Sequence, residues 1–218
     1  MSRPLPTEQI QLNGPAGTID ALIDLPHEVR GIALVCHPHP LFGGSNTNKV
    51  AHTLGRVFRD LNYATIRPNF RGVGGSEGTH DEGNGETEDM LAVIAWLQSR
   101  FGTLPLALAG FSFGAFVQSR IQKKLADSPT PPSRILLAGT PCGEMIGSDR
   151  VYAPEPLQGN AQTLIIHGEK DDTAPLQTLF DWAAAQDLPV SVVPGSDHFF
   201  SGKLHVLRRI VETSWAPQ

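Results

Sequence analysis

The chain has 218 residues, of which 40% are hydrophobic and 18% charged, and its formal net charge at pH 7 is −5. This length favours one globular domain over residues 1–218, and the acidic balance without a basic face excludes a nucleic-acid surface. No stretch approaches the ~18 apolar residues of a membrane span, and the first residues lack an apolar leader region. We therefore expect a cytoplasmic protein without membrane contact.

The first predicted element is an antiparallel hairpin at a sheet edge. Residues 8–12 and 18–25 alternate in polarity, and a turn containing glycine and proline separates them. The later segments predicted as strands are 32–36, 63–68, 106–109, 135–138, 164–166 and 190–193. All except 63–68 and 190–193 are nearly continuous in apolar residues, which is typical of strands covered on both faces.

Several segments between and after these strands carry apolar residues at helical spacing. They are residues 48–61, 86–97, 114–125, 176–185 and 203–211. Strands that alternate with helices predict an α/β fold, with a mostly parallel, twisted sheet of about eight strands and helices on both faces. The segment 140–162 is rich in proline and glycine and has no helical period, so we predict an irregular loop there.

A serine follows the predicted strand 106–109, within the sequence Gly-Phe-Ser-Phe-Gly at residues 110–114. A serine at a sharp turn from a buried strand into a helix is the arrangement of a nucleophile elbow. Glycine suits both flanks, because strand and helix approach each other closely there. The alternative role for Ser112 is structural, as a cap or a turn at the start of the helix.

An acidic pair and a histidine follow the last two predicted strands. Asp171 and Asp172 come after the first of these strands, and His198 comes after the second. Ligands bind beyond the carboxyl ends of the strands in an open parallel sheet, so these residues and Ser112 are candidates for one site. Only one of the two adjacent acids can face the histidine.

Other histidines compete with His198 for the role of a base. His205 falls in a helical pattern, where a surface or packed histidine is the more common case. His167 and His37 end strands, a position that favours structural hydrogen bonds. His198 lies on a Gly-Ser-Asp turn, which suits a base that must reach a nucleophile.

The order serine, acid, histidine, with the serine on a strand-to-helix turn, resembles that of the α/β-hydrolase superfamily. The resemblance covers nearly the whole chain after the first hairpin. The segment His167-Gly168-x-x-Asp171 resembles the family's acid loop, and residues 67–78 resemble the loop after an early central strand. Residues 37–44 resemble the oxyanion loop of a small bacterial group without a cap domain, so the resemblance implies an α/β-hydrolase fold with no cap.

The resemblance also implies a role for each candidate. Ser112 would attack a carbonyl carbon, His198 would take and return its proton, and Asp171 would orient the imidazole. Family spacing favours Asp171 over Asp172. The backbone N–H of Phe113, at the start of the helix, is the first expected oxyanion donor.

The second oxyanion donor stays open between two residues. The resemblance favours the N–H of His39, two positions beyond the strand-ending His37 as in the family's simpler loops, and that of Leu41 is the competitor. Pro38 and Pro40 have no N–H to donate. The pair of His39 with His37 is insufficient for a hydrolytic zinc centre. No cofactor or metal is expected.

These residues predict a serine hydrolase, and we expect a carboxylesterase that cleaves small or short-chain acyl esters through an acyl-enzyme intermediate. Without a cap, its pocket would be open and rimmed by Leu41, Phe42, Phe113, Phe199 and Phe200. The expected partner is a small-molecule ester, and the protein is expected as a monomer or homodimer. The alternatives are a peptidase or acyl-peptide hydrolase on the same triad, and a non-catalytic scaffold that binds a partner.

Overall fold

The predicted hairpin opens the chain. In the computed structural model, which describes residues 5–215, β1 (Glu8–Gly14) pairs antiparallel with β2 (Gly17–Asp24). The later strands are β3 (Gly31–Cys36), β4 (Tyr63–Pro68), β5 (Leu106–Phe111), β6 (Arg134–Ala138), β7 (Gly143–Glu144), β8 (Val151–Tyr152), β9 (Gln162–Gly168) and β10 (Val190–Val193).

The main sheet has eight strands in the order β1-β2-β4-β3-β5-β6-β9-β10. β2 pairs antiparallel with β4, and every later neighbour in this order is parallel. This arrangement confirms the predicted mostly parallel sheet with an antiparallel hairpin at its edge. It also brings the carboxyl ends of β3, β5, β9 and β10 to one edge of the sheet, where the candidate residues follow them.

Each predicted helix is present. The helices are α1 (Lys49–Asp60), α2 (Asn84–Phe101), α3 (Phe113–Leu125), α4 (Leu176–Ala184) and α5 (Leu204–Trp215). α1 begins where the Asn48 side chain caps the free N–H groups of Val50 and Ala51 at 2.9 and 3.4 Å. Among the helices of residues 5–215, none is both long enough and apolar enough to cross a membrane.

Alternate residues of β3 show how the sheet divides the core. Ile32 and Leu34 pack in the cluster formed with α2 and α3, whereas Ala33 and Val35 pack in the cluster formed with α1 and α5. On the α2 and α3 side, α4 packs against Ile165 of β9. Helices cover both faces of the sheet, so the strand residues that point to either face are apolar. The strands therefore have nearly continuous apolar sequences.

The segment 140–162 is mostly irregular, as predicted, but it contains the short antiparallel pair of β7 and β8. Two-residue strands are too short to produce an alternating pattern, so the sequence does not indicate them. The segment contains no helix. No cap domain is therefore inserted over the carboxyl edge of the sheet at this point.

A buried ion pair joins the antiparallel and parallel parts of the sheet. The Arg67 guanidinium on β4 donates to Asp24 Oδ2 on β2, from Nη2 at 2.9 Å and from Nε at 3.2 Å. Its Nη1 donates to the carbonyl oxygen of Asn46 at 2.9 Å. Buried charges are costly unless they are paired and hydrogen-bonded, so each partner depends on the other.

The variant Asp24→Ala should leave the Arg67 guanidinium buried without a counter-charge. We expect the free energy of unfolding to fall by about 3–5 kcal/mol, measured by urea denaturation followed by circular dichroism. The control is Glu28→Ala, which removes an exposed pair with Arg30 and should leave the stability nearly unchanged. Similar losses in the two variants would contradict a structural role for the buried pair.

Candidate active site

Strand β5 leads directly into Ser112, and α3 begins at the next residue. Ser112 has φ 54° and ψ −123°, a conformation that is strained for a residue with a Cβ. A Cβ on Gly110 would overlap the backbone of Gly114, and a Cβ on Gly114 would overlap the carbonyl oxygen of Cys36. Both flanking glycines are therefore required by the close approach of strand and helix.

Side chains from separate loops meet at this turn. His198 Nε2 lies 2.9 Å from Ser112 Oγ, and His198 Nδ1 lies 2.7 Å from Asp171 Oδ2. The imidazole is buried, and its ring centroid is 5.0 Å from that of Phe111. With the carboxylate accepting the proton on Nδ1, Nε2 is the nitrogen that accepts a hydrogen bond from the serine hydroxyl.

Of the two adjacent acids, Asp171 is the one that faces the histidine. Its Oδ1 accepts the backbone N–H groups of Thr173 and Ala174 at 2.9 and 2.8 Å. Burial alone would raise the pKa of the Asp171 carboxyl, but the hydrogen bonds from His198 and from the Ala174 N–H hold it below its usual value. Asp172 is exposed, and its Oδ1 accepts a long hydrogen bond from the Thr173 hydroxyl at 3.4 Å.

His167 reaches the same carboxylate, a contact that the sequence did not reveal. Its Nε2 donates to the carbonyl oxygen of Ala174 at 3.0 Å and lies 3.2 Å from Asp171 Oδ2. Burial lowers the pKa of His167, so its imidazole is neutral. The structural hydrogen bond expected of this residue is present, and the same Nε2 also contacts the acid.

His37 anchors the loop that follows β3. Its Nδ1 donates to the carbonyl oxygen of Pro38 at 2.6 Å, and its Nε2 accepts the N–H of Phe70 at 2.9 Å. Burial lowers the pKa of His37 to about 4, so the ring is neutral at pH 7 and able to accept this bond. His37 therefore has the structural role that was expected of a strand-ending histidine. Its hydrogen bonds connect the loop after β3 to the loop after β4.

His39 and Leu41, the candidates for the second oxyanion donor, lie on this loop. Their N–H groups differ in whether they already donate a hydrogen bond. The N–H of Leu41 donates to the ring Nδ1 of His39 at 3.2 Å. The N–H of His39 itself donates to no partner in the described part of the chain, and neither does the N–H of Phe113 at the start of α3. Both His39 and Phe113 border the same pocket as Ser112.

A histidine that the sequence did not single out packs against His39, and a buried acid holds that histidine. The rings of His39 and His80 are 4.8 Å apart, and His80 Nδ1 donates to Glu86 Oε1 at 2.7 Å. Glu86 is fully buried and also accepts the N–H groups of Asp81 and Gly83 at 3.0 and 2.9 Å. Such a polar cluster leaves no periodic signal, because its members come from separate loops and the first turn of α2.

Ser112 opens into a pocket of about 320 Å³. Of the predicted rim residues, Phe42, Phe113 and Phe199 line this pocket. The side chains of Phe42 and Phe199 are 70% and 52% exposed, so they form an apolar rim. Among the described residues, no three His, Cys, Asp or Glu side chains come together as a metal site would require.

The structure places the other two predicted rim residues outside the pocket lining. Phe200 is fully buried in the core beside Phe111, because its positive φ of 53° turns the chain back into the protein. Leu41 lies in the 3₁₀ turn Pro40–Phe42 and is 61% exposed, outside the pocket lining.

The segment 140–162 supplies much of the pocket wall, which the sequence did not indicate. Its residues Met145, Ile146, Arg150 and Tyr152 line the pocket. The Arg150 guanidinium lies over the ring of Phe42, 4.3 Å from its centroid, and so connects this segment to the loop after β3. An irregular loop borders the pocket where a cap domain would otherwise be inserted.

A solved α/β serine hydrolase without a lid, from Xanthomonas campestris, has the same fold. It aligns with a TM-score of 0.82 and 34% sequence identity, over 98% of this chain and 96% of that one. The chain belongs to the lidless α/β serine hydrolases. An uncharacterized protein of Rickettsia prowazekii is 32% identical to this hydrolase over 207 residues, which are 89% of it and 83% of the relative.

Two partial matches add to this assignment. The family described as X-Pro dipeptidyl-peptidase (S15 family) matches residues 19–131 of the hydrolase, just over half of its length. A lysophosphatidylserine lipase of Danio rerio is 34% identical over 105 residues, which are 46% of the hydrolase and 27% of the lipase.

Acid should weaken the fold through His37. The imidazole has an ordinary pKa of 6.5 in the unfolded chain and a pKa of about 4 in the folded protein. Between these values the unfolded state binds a proton that the folded state does not, so the free energy of unfolding falls as the pH drops through this window. For a buried histidine with this shift, the free energy of unfolding is about 2–3 kcal/mol lower at pH 4.5 than at pH 7.

Urea denaturation at pH 7 and pH 4.5 measures this loss. The comparison variant is His37→Gln, whose side-chain oxygen can accept the Phe70 N–H but does not titrate. We expect a smaller loss between the two pH values in the variant than in the wild type. The same loss in both proteins would rule out His37 as its source.

Proposed function

We propose that this protein is a carboxylesterase in which Ser112 is the nucleophile, His198 the base and then the acid, and Asp171 the residue that orients His198. The proposal rests above all on the continuous hydrogen bonding from Asp171 Oδ2 through the imidazole to Ser112 Oγ, at 2.7 and 2.9 Å. Nucleophile, base and orienting acid in this contact are what acyl transfer by a serine requires.

The reaction has two halves. His198 Nε2 takes the hydroxyl proton as Ser112 Oγ attacks the ester carbonyl carbon, and the Asp171 carboxylate stabilises the imidazolium that forms. The tetrahedral intermediate then collapses, the ester C–O bond breaks, and His198 gives its proton to the leaving alcohol. Water attacks the acyl-enzyme by the same route and releases the carboxylic acid and free Ser112.

The N–H groups of Phe113 and His39 are the proposed oxyanion donors. Both border the pocket beside Ser112, and both lack a partner among the described residues. The Phe113 N–H also lies at the N-terminus of α3, where the helix dipole favours negative charge. Leu41 is the poorer candidate, because its N–H is already bound to the His39 ring.

The pocket supports a preference for small acyl groups. Its volume of about 320 Å³ is at the lower end of the range of about 300–1,000 Å³ that ligand pockets occupy. The exposed side chains of Phe42, Phe199 and Ile146 form an apolar border that suits the hydrocarbon part of an ester. Since no cap domain covers this border, we expect no activation by lipid interfaces.

The match to the X-Pro dipeptidyl-peptidase family makes peptide hydrolysis the second candidate. An enzyme that releases dipeptides has to bind the terminal ammonium of its substrate, for which a carboxylate is the natural partner. In the described part of the chain no Asp or Glu lines the pocket, whereas Arg150 does. This electrostatic character favours esters over peptides. The lipase relative from Danio rerio is named for an ester substrate, which agrees with this preference.

Hydrolysis of p-nitrophenyl esters tests the proposed function. We expect kcat/KM to be highest for the acetate, propionate and butyrate esters. It should fall for the decanoate ester, whose acyl chain is too long for the pocket. Ser112→Ala should lower kcat by at least about 1,000-fold, because the nucleophile is removed. The control Ser99→Ala, on the exposed face of α2, should keep wild-type activity. Turnover by Ser112→Ala at the wild-type rate would contradict the esterase mechanism.

The adjacent acids provide a matched pair of variants. Asp171→Asn should lower kcat on the same ester by about 10³- to 10⁴-fold, because an amide does not hold the productive imidazole tautomer. Asp172→Asn should retain kcat within a factor of about 3, since its side chain is exposed and does not contact the histidine. The opposite ranking would transfer the role of the acid to Asp172.

A further inference from the structure

The pocket wall carries a cation without an anionic partner. Arg150 is the single lysine or arginine among the described pocket-lining residues. Within residues 5–215, its guanidinium has no carboxylate oxygen within 4.0 Å and donates no hydrogen bond. It lies instead over the face of Phe42. A guanidinium on an aromatic face keeps the N–H groups at its edge available to a ligand.

Hydroxyl groups belong to the same wall. Arg150 directly precedes β8 and lies two positions before Tyr152, so in extended backbone the two residues share a face, and the intervening Val151 is 67% exposed. Burial raises the pKa of Tyr152 to about 12, so its hydroxyl remains a donor at pH 7. Ser148 Oγ accepts the Arg150 N–H at 3.2 Å, which leaves the hydroxyl proton free to donate. All three side chains line the pocket.

The described lining of the pocket offers no negative charge beside Arg150, although the Glu82 carboxylate outside the lining is close enough to Tyr152 to contribute to its raised pKa. No Asp or Glu is among the lining residues in the described part of the chain. Burial, Arg150 and His80 together lower the pKa of His39 to about 4, so the field of the guanidinium extends to the loop beside Ser112. This local positive charge occurs in a protein whose net charge is −5.

We propose that Arg150 binds an anionic group of the substrate, so that the enzyme prefers esters carrying a carboxylate or a phosphate to neutral esters of the same size. The inference rests on the proposed esterase function and specifies its substrate class. A guanidinium fork matches two oxygens of either anion, and the Tyr152 and Ser148 hydroxyls supply further donors. The anion thereby fixes the orientation of the ester in the pocket.

Matched substrate pairs test the preference and locate the anion. The first pair is p-nitrophenyl monoglutarate and p-nitrophenyl pentanoate, which differ by a carboxylate on the acyl side. The second is 1-butyrylglycerol 3-phosphate and 1-butyrylglycerol, which differ by a phosphate on the alcohol side. We expect kcat/KM to favour the anionic member of at least one pair by about 10- to 100-fold.

Variants connect this ratio to Arg150. Arg150→Gln should bring the ratio of the two kcat/KM values close to one, and Arg150→Glu should invert it. The control Arg209→Gln, an exposed arginine on α5, should keep the wild-type ratio. A preference for the anionic ester in the first pair alone places the anion on the acyl side. A preference for it in the second pair alone places the anion on the alcohol side. Either outcome supports the site. A wild-type ratio near one in both pairs, or a ratio that Arg150→Gln leaves unchanged, would overturn it.

Measurements of ester binding distinguish a failure of the anion-site inference from a failure of the esterase proposal. The same esters are titrated by calorimetry into Ser112→Ala protein with and without Arg150→Gln. An Arg150-dependent preference in Kd, without turnover of any ester by the wild type, would contradict the esterase function and support the anion site. Turnover of the neutral esters without an anionic preference in Kd or kcat/KM would overturn the anion site alone.

Discussion

The close contact between β5, α3 and the end of β3 is the constraint on which the site depends. Helix α3 approaches so closely that only glycine fits at positions 110 and 114. The buried Gln118 of α3 fastens this contact by donating to the carbonyl oxygens of Leu34 and Ala109 at 3.1 and 2.8 Å. Ser112 is consequently held in its strained conformation, and the Phe113 N–H is left without a partner among the described residues. The proposed nucleophile and the proposed oxyanion donor are thus positioned by the same backbone contact.

Asp171 and His198, the proposed orienting acid and base, are positioned by a second contact, between the loops after β9 and β10. The N–H of Lys170 donates to the Ser196 carbonyl oxygen at 2.8 Å, and the N–H of Gly195 donates to Glu169 Oε2 at 2.7 Å. A Cβ on Gly168 would overlap the carbonyl oxygens of Ser196 and Asp197. The distance between Asp171 and His198 therefore depends on backbone hydrogen bonds as well as on their own contact, and little reorganisation is needed for reaction.

Much of this arrangement was predictable from the sequence, for physical reasons. Buried parallel strands give nearly continuous apolar runs, and the residues after the carboxyl ends of parallel strands meet at one edge of the sheet, so Ser112, the acidic pair and His198 could be grouped as candidates for one site. The choice of Asp171 over Asp172 came from the spacing in the family that the sequence resembles. The pocket wall was not predictable, because segment 140–162 has no period and its position depends on tertiary contacts such as Arg150 over Phe42. Phe200 was misplaced because a left-handed turn reverses the direction of its side chain, which no pattern indicates.

The most direct test of the account is to identify the residue that a fluorophosphonate probe labels. Such a probe phosphonylates a serine only where a base activates it and an oxyanion hole receives the phosphoryl oxygen. Intact-protein mass spectrometry with peptide mapping should find one adduct per wild-type chain, on Ser112, and no adduct in Ser112→Ala. An adduct on a different residue, or an unlabelled wild type under conditions that label a known serine esterase, would contradict the catalytic arrangement derived from this structure.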